Sequence, residues 1–448
     1  MLQPGLIPDK EPDIRVGIIL PEDEYTSVAI SNSQKMDYQI EYQGKIVRLA
    51  PDTDLFVKLH QNHLLLKMKG SDFKSESEFR IYPVNTQNEA APGSGLLVKN
   101  VVSGRDFHWK KQINVFLPGT IIVKKYKSHL ILINELPIEH YLMCVATSEM
   151  GSACPPALIE AQTIAARSWM LANIEQKHIH LGMDVCNDDC CQRYQGSTFL
   201  TDQSIKGAMD TYGQVLLYNN QICDARYSKS CGGVMESFDT IWEGENPPYF
   251  QVKADAENDP EEWKKPLSDE SNFKKWIESV PETFCSPHVI PENELKKYLG
   301  SVDEEGTYFR WQEEINQADI VKNINHFHSL HATAITALEP IYRGGSGRIA
   351  QMSVHYIDAK GQNNKLTLKN DFEIRQNLHP KFLYSSAFII IPLKVKDNIP
   401  GAFRFKGAGW GHGAGLCQIG ALGMALQKYS AEDIVMHYYP GSKLKKIY

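Results

Sequence analysis

The sequence predicts an α+β fold: a β-rich scaffold, a helical hairpin carrying a candidate catalytic glutamate, and a mainly helical insertion. Three observations predict it. Short β-branched runs punctuated by Gly, Asp, Asn and Pro fill the stretch from Asp13 to Ile133. Apolar residues then recur at helical spacing between two proline signals, and a later stretch, Asp255 to His331, is charged and carries Trp263, Trp276 and Trp311. With 448 residues, 42% of them hydrophobic, the chain is long enough for about three domains and too apolar to be disordered in bulk.

In chain order, strands are expected at Ile14–Leu20, Tyr38–Val47, Leu64–Met68, Phe79–Val84, Ile113–Leu117 and Leu130–Ile133. Leu136-Pro137 opens a helix, because proline suits the first turn, and Leu142, Val145, Ala146 and Met150 share one face before Gly151 stops it. Pro155-Pro156 opens a second helix over Ala157–Ile174, rich in helix formers and free of internal glycine or proline. Glu292–Leu299 reads as a helix. Ile349–Ile357, Leu366–Leu368 and Ala387–Leu393 read as strands, and Ser430-Ala431-Glu432-Asp433 reads as the capped start of a last helix.

The formal charge of −7, from 47 basic and 54 acidic residues, implies no general attraction to nucleic acid or an anionic membrane. No stretch approaches the roughly 20 apolar residues of a membrane span, and Met1-Leu2-Gln3-Pro4-Gly5 lacks the basic and apolar regions of an export signal. As read, this is a soluble chain. Nine cysteines fit neither a dense disulfide framework nor a thiol-poor enzyme. Cys186, Cys190 and Cys191 crowd together; Cys144, Cys154, Cys223, Cys231, Cys285 and Cys417 are scattered and read mostly as small core hydrophobes.

Three constellations could carry chemistry. Glu149 ends the first helix of the hairpin, facing the Cys154-Pro155-Pro156 turn and the next helix with Gln162 and Arg167; partial desolvation at such a junction suits a general acid, although an exposed helix-end glutamate reads the same way. His180, Cys186 and Cys191 suit Zn²⁺, the fourth position falling to water, Cys190, His178 or a distant residue. Adjacent Cys190 and Cys191 fit oxidation or simple packing equally. The run Gly409-Trp410-Gly411-His412-Gly413-Ala414-Gly415 lacks a phosphate-loop ending and the dinucleotide spacing, so it reads as a close approach of ligand or backbone, or as a tight strand-to-helix joint.

Together these segments resemble the stage II sporulation protein D family, which includes the amidase-enhancer proteins. The resemblance rests on Leu136-Pro137-Ile138-Glu139-His140-Tyr141-Leu142 leading to Glu149-Met150, on Glu160-Ala161-Gln162 and Ala165-Ala166-Arg167, and on Asp224-Ala225 with Ser230-Cys231-Gly232-Gly233. Ser346-Gly347-Arg348, Ile374-Arg375-Gln376-Asn377-Leu378, the Gly-His-Gly run through Gln418-Ile419-Gly420-Ala421, and His437-Tyr438-Tyr439-Pro440-Gly441 complete it. It covers about 105–253 and 333–448, which it implies are two parts of a catalytic domain; the β-rich region over 1–104 and the insertion or lid over 254–332, read from their own residues, carry little of it. One departure is Glu160, where many relatives carry lysine; it puts a second carboxylate on the helix after Glu149.

Sporulation-type members of this family are lytic transglycosylases that cut peptidoglycan glycan strands with one glutamate, and by motif position that residue is Glu149. The resemblance maps the zinc ligands onto His180, Cys186 and Cys191, with a structural role for the metal. Arg167 is expected to orient the site through a carboxylate of the sugar or of the protein, and Gln162, Tyr194, Tyr227, Lys229, His412 and Gln418 are the expected sugar contacts. The expected partners are peptidoglycan strands, not nucleic acid. The main rival is a glycan-binding activator of a cell-wall amidase without turnover, and another is a hydrolase with catalytic zinc. A substrate outside the cytoplasmic membrane implies an extracytoplasmic protein whose leader this chain does not show.

Overall fold

A computed structural model describes all residues except 34–35, 86–89, 106–109, 152 and 300–306, and the side chain of 147; parts of the expected 105–253 and 254–332 segments therefore lie outside the described residues. The architecture is α+β. It divides into two compact units: Met1–Asp224 with Leu444–Tyr448, and Ala225–Lys443. Among the described residues, no helix is long and apolar enough to cross a membrane.

The first unit is built on two sheets. One has seven strands, in the order Val185–Cys186, Asp13–Ile19, His129–Pro137, Thr120–Tyr126, Glu78–Pro83, Tyr38–Tyr42 and Lys45–Leu49. The other has six, from Lys111–Leu117 through Leu96–Ser103, Ser27–Asn32, Thr53–His60 and His63–Met68 to Ser71–Ser75. Alternation along Thr53–His60 sends Leu55 and Val57 inward and Asp54 and Phe56 outward, the period-2 signature of a half-buried strand. The expected single strand Tyr38–Val47 is a hairpin instead: Gln43 and Gly44 both take positive φ (48° and 73°), which turns the chain between the two strands.

The helical hairpin forms as expected. Helix α1 spans Ile138–Glu149 and ends where Met150 turns extended. Helix α2 spans Pro156–Ala172 with proline in its first turn, and α3 (Asp202–Asp210) is capped by Thr201. The α2 residues Leu158, Ile164, Ala165 and Met170 are buried, so the helix is held by its packing more than by propensity.

The second unit contains two three-stranded sheets, Arg310–Asn316/Ala402–Ala408/Phe388–Leu393 and Ala332–Arg343/Ile349–Asp358/Asn363–Leu368. Ile320, Ile324, Ile335, Met352, Val354 and Phe405 belong to one core cluster. Trp263, Leu267, Phe273 and Trp276 belong to another, with Ala387, Ile389 and Ala408. Ser430 and Asp433 cap the last helix reciprocally, as the sequence predicts.

Candidate active site and metal-binding loop

In the first unit, Glu149 sits half-buried at the last position of α1. Its Oε1 accepts the backbone N–H of Arg193 at 3.1 Å. Arg193 lies two residues beyond Cys191, so the carboxylate is tied to the end of the cysteine loop.

That loop is anchored at every turn. Val185–Cys186 adds a parallel edge strand beside Val16 and Gly17, flanked by backbone bonds from Asp184 to Arg15 (2.8 Å) and Asn187 to Gly17 (2.9 Å). Asp188, between the cysteines, accepts the N–H groups of Gly104 and Arg105 at 2.9 and 2.7 Å, while the Arg105 guanidinium pairs with Asp188 and Asp23. Gln192 bonds back to both helices, accepting from Tyr141 of α1 at 3.0 Å and donating to the Ala166 carbonyl of α2 at 3.2 Å.

Held this way, the loop brings His178, Cys186, Cys190 and Cys191 together, with ligand atoms all within 4.8 Å of one another. Cys186 and Cys190 place their sulfurs 3.2 Å apart. Hydrogen bonds from Cys186 and Cys191, then His178, hold the Cys190 thiol far below its usual range. The same bonds to Cys190 and Cys191, reinforced by burial, push the Cys186 thiol up. The Nε2 of His178 is buried without a hydrogen-bond partner among the described residues. One imidazole and three sulfurs form a donor set that fits a soft divalent metal.

The expected ligand His180 is corrected. It is exposed within the short turn Ile179–Leu181 and is absent from the group of ligand atoms, where the imidazole is that of His178. Of the two carboxylates expected for Arg167, one on the sugar and one on the protein, its full burial leaves the protein's. Its Nε and Nη2 grip the two Glu139 oxygens at 2.8 and 2.6 Å, and Glu139 also accepts from Tyr448 at 2.8 Å. Arg167 is thus a positioning residue that locks α2 to α1 through a protein carboxylate. Tyr194 is likewise not a sugar contact: it is 1% exposed, donates to Asn134 at 2.7 Å and stacks on Tyr141. Gln162 is buried within α2. Glu160 is half-buried, its carboxyl pushed up by burial and by Asp210 against the pull of Lys206.

In the second unit, Tyr227, Lys229, His412 and Gln418 are gathered around the glycine-rich run. Tyr227 pairs with Leu416, and the Lys229 carbonyl accepts the N–H of Ile419 at 3.0 Å. Gln418 starts the helix Gln418–Leu426 and is 2% exposed, a position in the core. The run itself is a tight joint between the strand Ala402–Ala408 and that helix. Gly413 (φ 73°) lies against the buried Arg348 guanidinium, which a Cβ would meet at 2.3–2.5 Å, and a Cβ on Gly415 would strike the Arg226 carbonyl at 2.1 Å. His412 accepts the Ala414 N–H at Nδ1 (3.1 Å) and sets its ring edge-on to Trp242 at 4.7 Å. Burial, then Arg226, pulls its imidazole down to about 3, so it is neutral with its proton on Nε2.

Sequence reasoning missed Glu139, Asn134 and Asp188, the partners that organise the site. The first two sit inside stretches that read as ordinary strand and helix, and only their buried hydrogen bonds reveal them.

A family model described as Stage II sporulation protein matches residues 126–218. Another, described as a domain of unknown function (DUF8618), matches residues 236–415, within the second unit. Among curated relatives, an uncharacterized protein of Brachyspira hyodysenteriae is 24% identical over 324 residues, covering 72% of this chain and 70% of that protein. Stage II sporulation protein D of Bacillus amyloliquefaciens is 25% identical over 342 residues, covering 72% and 78%. The Amidase enhancer of Bacillus subtilis is 26% identical over 304 residues, or 67% of this chain but only 39% of that protein's length. These matches bear out the family resemblance drawn from the sequence.

Proposed function

We propose that the chain is a peptidoglycan lytic transglycosylase with Glu149 as its general acid and base. The relatives named Stage II sporulation protein D support a role at the cell wall. The most direct structural support is the hydrogen bond from Arg193 to Glu149, which fixes the carboxylate of α1 against an independently anchored loop. A catalytic group positioned by rigid neighbours needs little reorganisation in the transition state.

In this reading Glu149 donates its proton to the oxygen linking N-acetylmuramic acid to N-acetylglucosamine. As carboxylate it then accepts the proton of the muramic 6-hydroxyl while that oxygen bonds to C1. One glycosidic bond breaks, one intramolecular C–O bond forms, and no water is consumed. A single carboxylate serves both half-steps, unlike the two of ordinary glycoside hydrolysis.

Zinc is the metal this reading assigns to His178, Cys186, Cys190 and Cys191. Four protein ligands make the closed set of a structural site, which cross-links the loop without activating water; that argues against the hydrolase with catalytic zinc. The substrate implies an extracytoplasmic site of action. Glu149→Gln should lower cleavage of purified glycan strands by about 10²–10⁴-fold at unchanged melting temperature and metal content. Unchanged cleavage would remove Glu149 from the mechanism. The relative named Amidase enhancer favours a second reading, a glycan-binding activator of an amidase; wild-type protein that binds strands, leaves them whole and raises the rate of an added amidase would select it.

A further inference from the structure

Six of the nine cysteines lie outside the first cluster, and three of these gather in the second unit. Cys231, Cys285 and Cys417 are far apart in sequence, yet they meet in the second unit with Asp255, and the four ligand atoms lie within 4.8 Å of one another. All four residues are 3% exposed or less. We infer that they form a second, structural zinc site, of Cys₃Asp composition.

Two of the ligand separations match the edges of a coordination tetrahedron. Zinc–sulfur bonds of about 2.3 Å give an edge of roughly 3.8 Å between sulfurs, and roughly 3.6 Å from sulfur to a carboxylate oxygen. The Cys231 and Cys285 sulfurs are 3.7 Å apart, and the Cys231 sulfur is 3.5 Å from Asp255 Oδ2. All three cysteines are free thiols.

The surroundings are those of metal ligands. Tyr438 donates to Asp255 Oδ1 at 2.8 Å, which turns the other oxygen, Oδ2, toward the sulfurs. Gly420 makes room for that carboxylate, since a Cβ there would lie 2.3 Å from Oδ2. The Cys417 sulfur accepts backbone N–H groups from Cys231 at 3.2 Å and Gly420 at 3.3 Å, bonds that suit a thiolate. Nearby charge is also accounted for. Arg310 spends all four of its hydrogen bonds on the carbonyls of Gly232, Ser279, Trp276 and Phe309, and has no ion pair among the described residues. A zinc ion with three thiolates and a carboxylate carries net negative charge, and Arg310 lies in electrostatic range of Cys285 and Cys231.

Such a site would pin four segments: the Ser230-Cys231-Gly232-Gly233 turn, the end of the strand Lys253–Ala254, the irregular chain around Cys285, and the start of the helix Gln418–Leu426. It would fix the downstream end of the glycine-rich run. The assignment does not depend on glycan cleavage, because it rests on the donor geometry within the second unit alone.

The test is native mass spectrometry of the full chain refolded with zinc. Wild type should carry two zinc ions, and Cys186→Ser/Cys191→Ser, which disables the first cluster, should keep one. Adding Cys285→Ser should remove that one. Because the triple variant can fail to fold, alkylation of wild type supplies a second reading: Cys231, Cys285 and Cys417 should be protected with zinc and become labelled when a chelator is added. A folded Cys186→Ser/Cys191→Ser chain without zinc would overturn the assignment. So would equal labelling of the three cysteines with and without chelator, or a disulfide between any two of them.

Discussion

The two units gather cysteines by opposite routes. In the first, His178, Cys186, Cys190 and Cys191 come from one loop, and Cys190 is exposed. In the second, Cys231, Asp255, Cys285 and Cys417 come from four separate segments and are wholly buried. A local loop loses little entropy on closing, so it can be built onto a sheet edge that already exists. A dispersed cluster brings distant segments together and is inseparable from the core around it. The first arrangement therefore suits a device that adjusts one loop, and the second suits a fastener for a whole unit.

The largest expected effect sharpens the first half of that contrast. His178→Ala should lose the zinc proposed for the first unit, since binding of zinc to a structural site is worth on the order of 10 kcal/mol of apparent free energy, whereas His180→Ala should keep it. Metal content by mass spectrometry reads both, and loss with His180→Ala instead would restore the ligand expected from the sequence. Next comes the buried pair beneath the site. Arg167→Met leaves Glu139 without its cation and should destabilise the first unit by about 3–5 kcal/mol in chemical denaturation, while Glu139→Leu/Arg167→Met should recover much of the loss.

The second unit should respond to its glycine joint. Gly413→Ala forces a side chain into the Arg348 guanidinium at a backbone angle that favours glycine, at a cost of about 1–3 kcal/mol. The smallest effect is a pH slope. His412 takes up a proton near 6.5 when unfolded but only near 3 when folded, so the unfolded chain binds more protons between those values. Stability should fall as pH drops from about 6.5 toward 3, and His412→Gln should flatten that slope in acid denaturation. An unchanged slope would contradict the burial of the ring.

Much of the first unit was legible because its signals are local. Prolines at Pro137, Pro155 and Pro156 mark the helix starts, and apolar periodicity marks the faces. Glu149 could be located from motif position alone, but its hydrogen bond to Arg193 could not, because it joins a helix end to a loop more than forty residues later. His178 and His180 are two residues apart in the same turn, and spacing cannot say which one faces the sulfurs. Tyr194 looked like a ligand contact because a hydroxyl suggests a surface, whereas Asn134 satisfies it in the core; for Arg167 the sequence left a sugar or a protein carboxylate open, and only the fold identifies Glu139. The scattered cysteines do lie in the core, as expected of small hydrophobes, but their meeting with Asp255 depends on long-range packing that no local pattern encodes.

The central claim is intramolecular scission by one acid, and the masses of the fragments test it most directly. Peptide-free glycan strands incubated with wild-type protein should yield fragments ending in 1,6-anhydro-muramyl residues, each lighter by one water than a hydrolytic product. Fragments carrying that water, with a free reducing end, would contradict it.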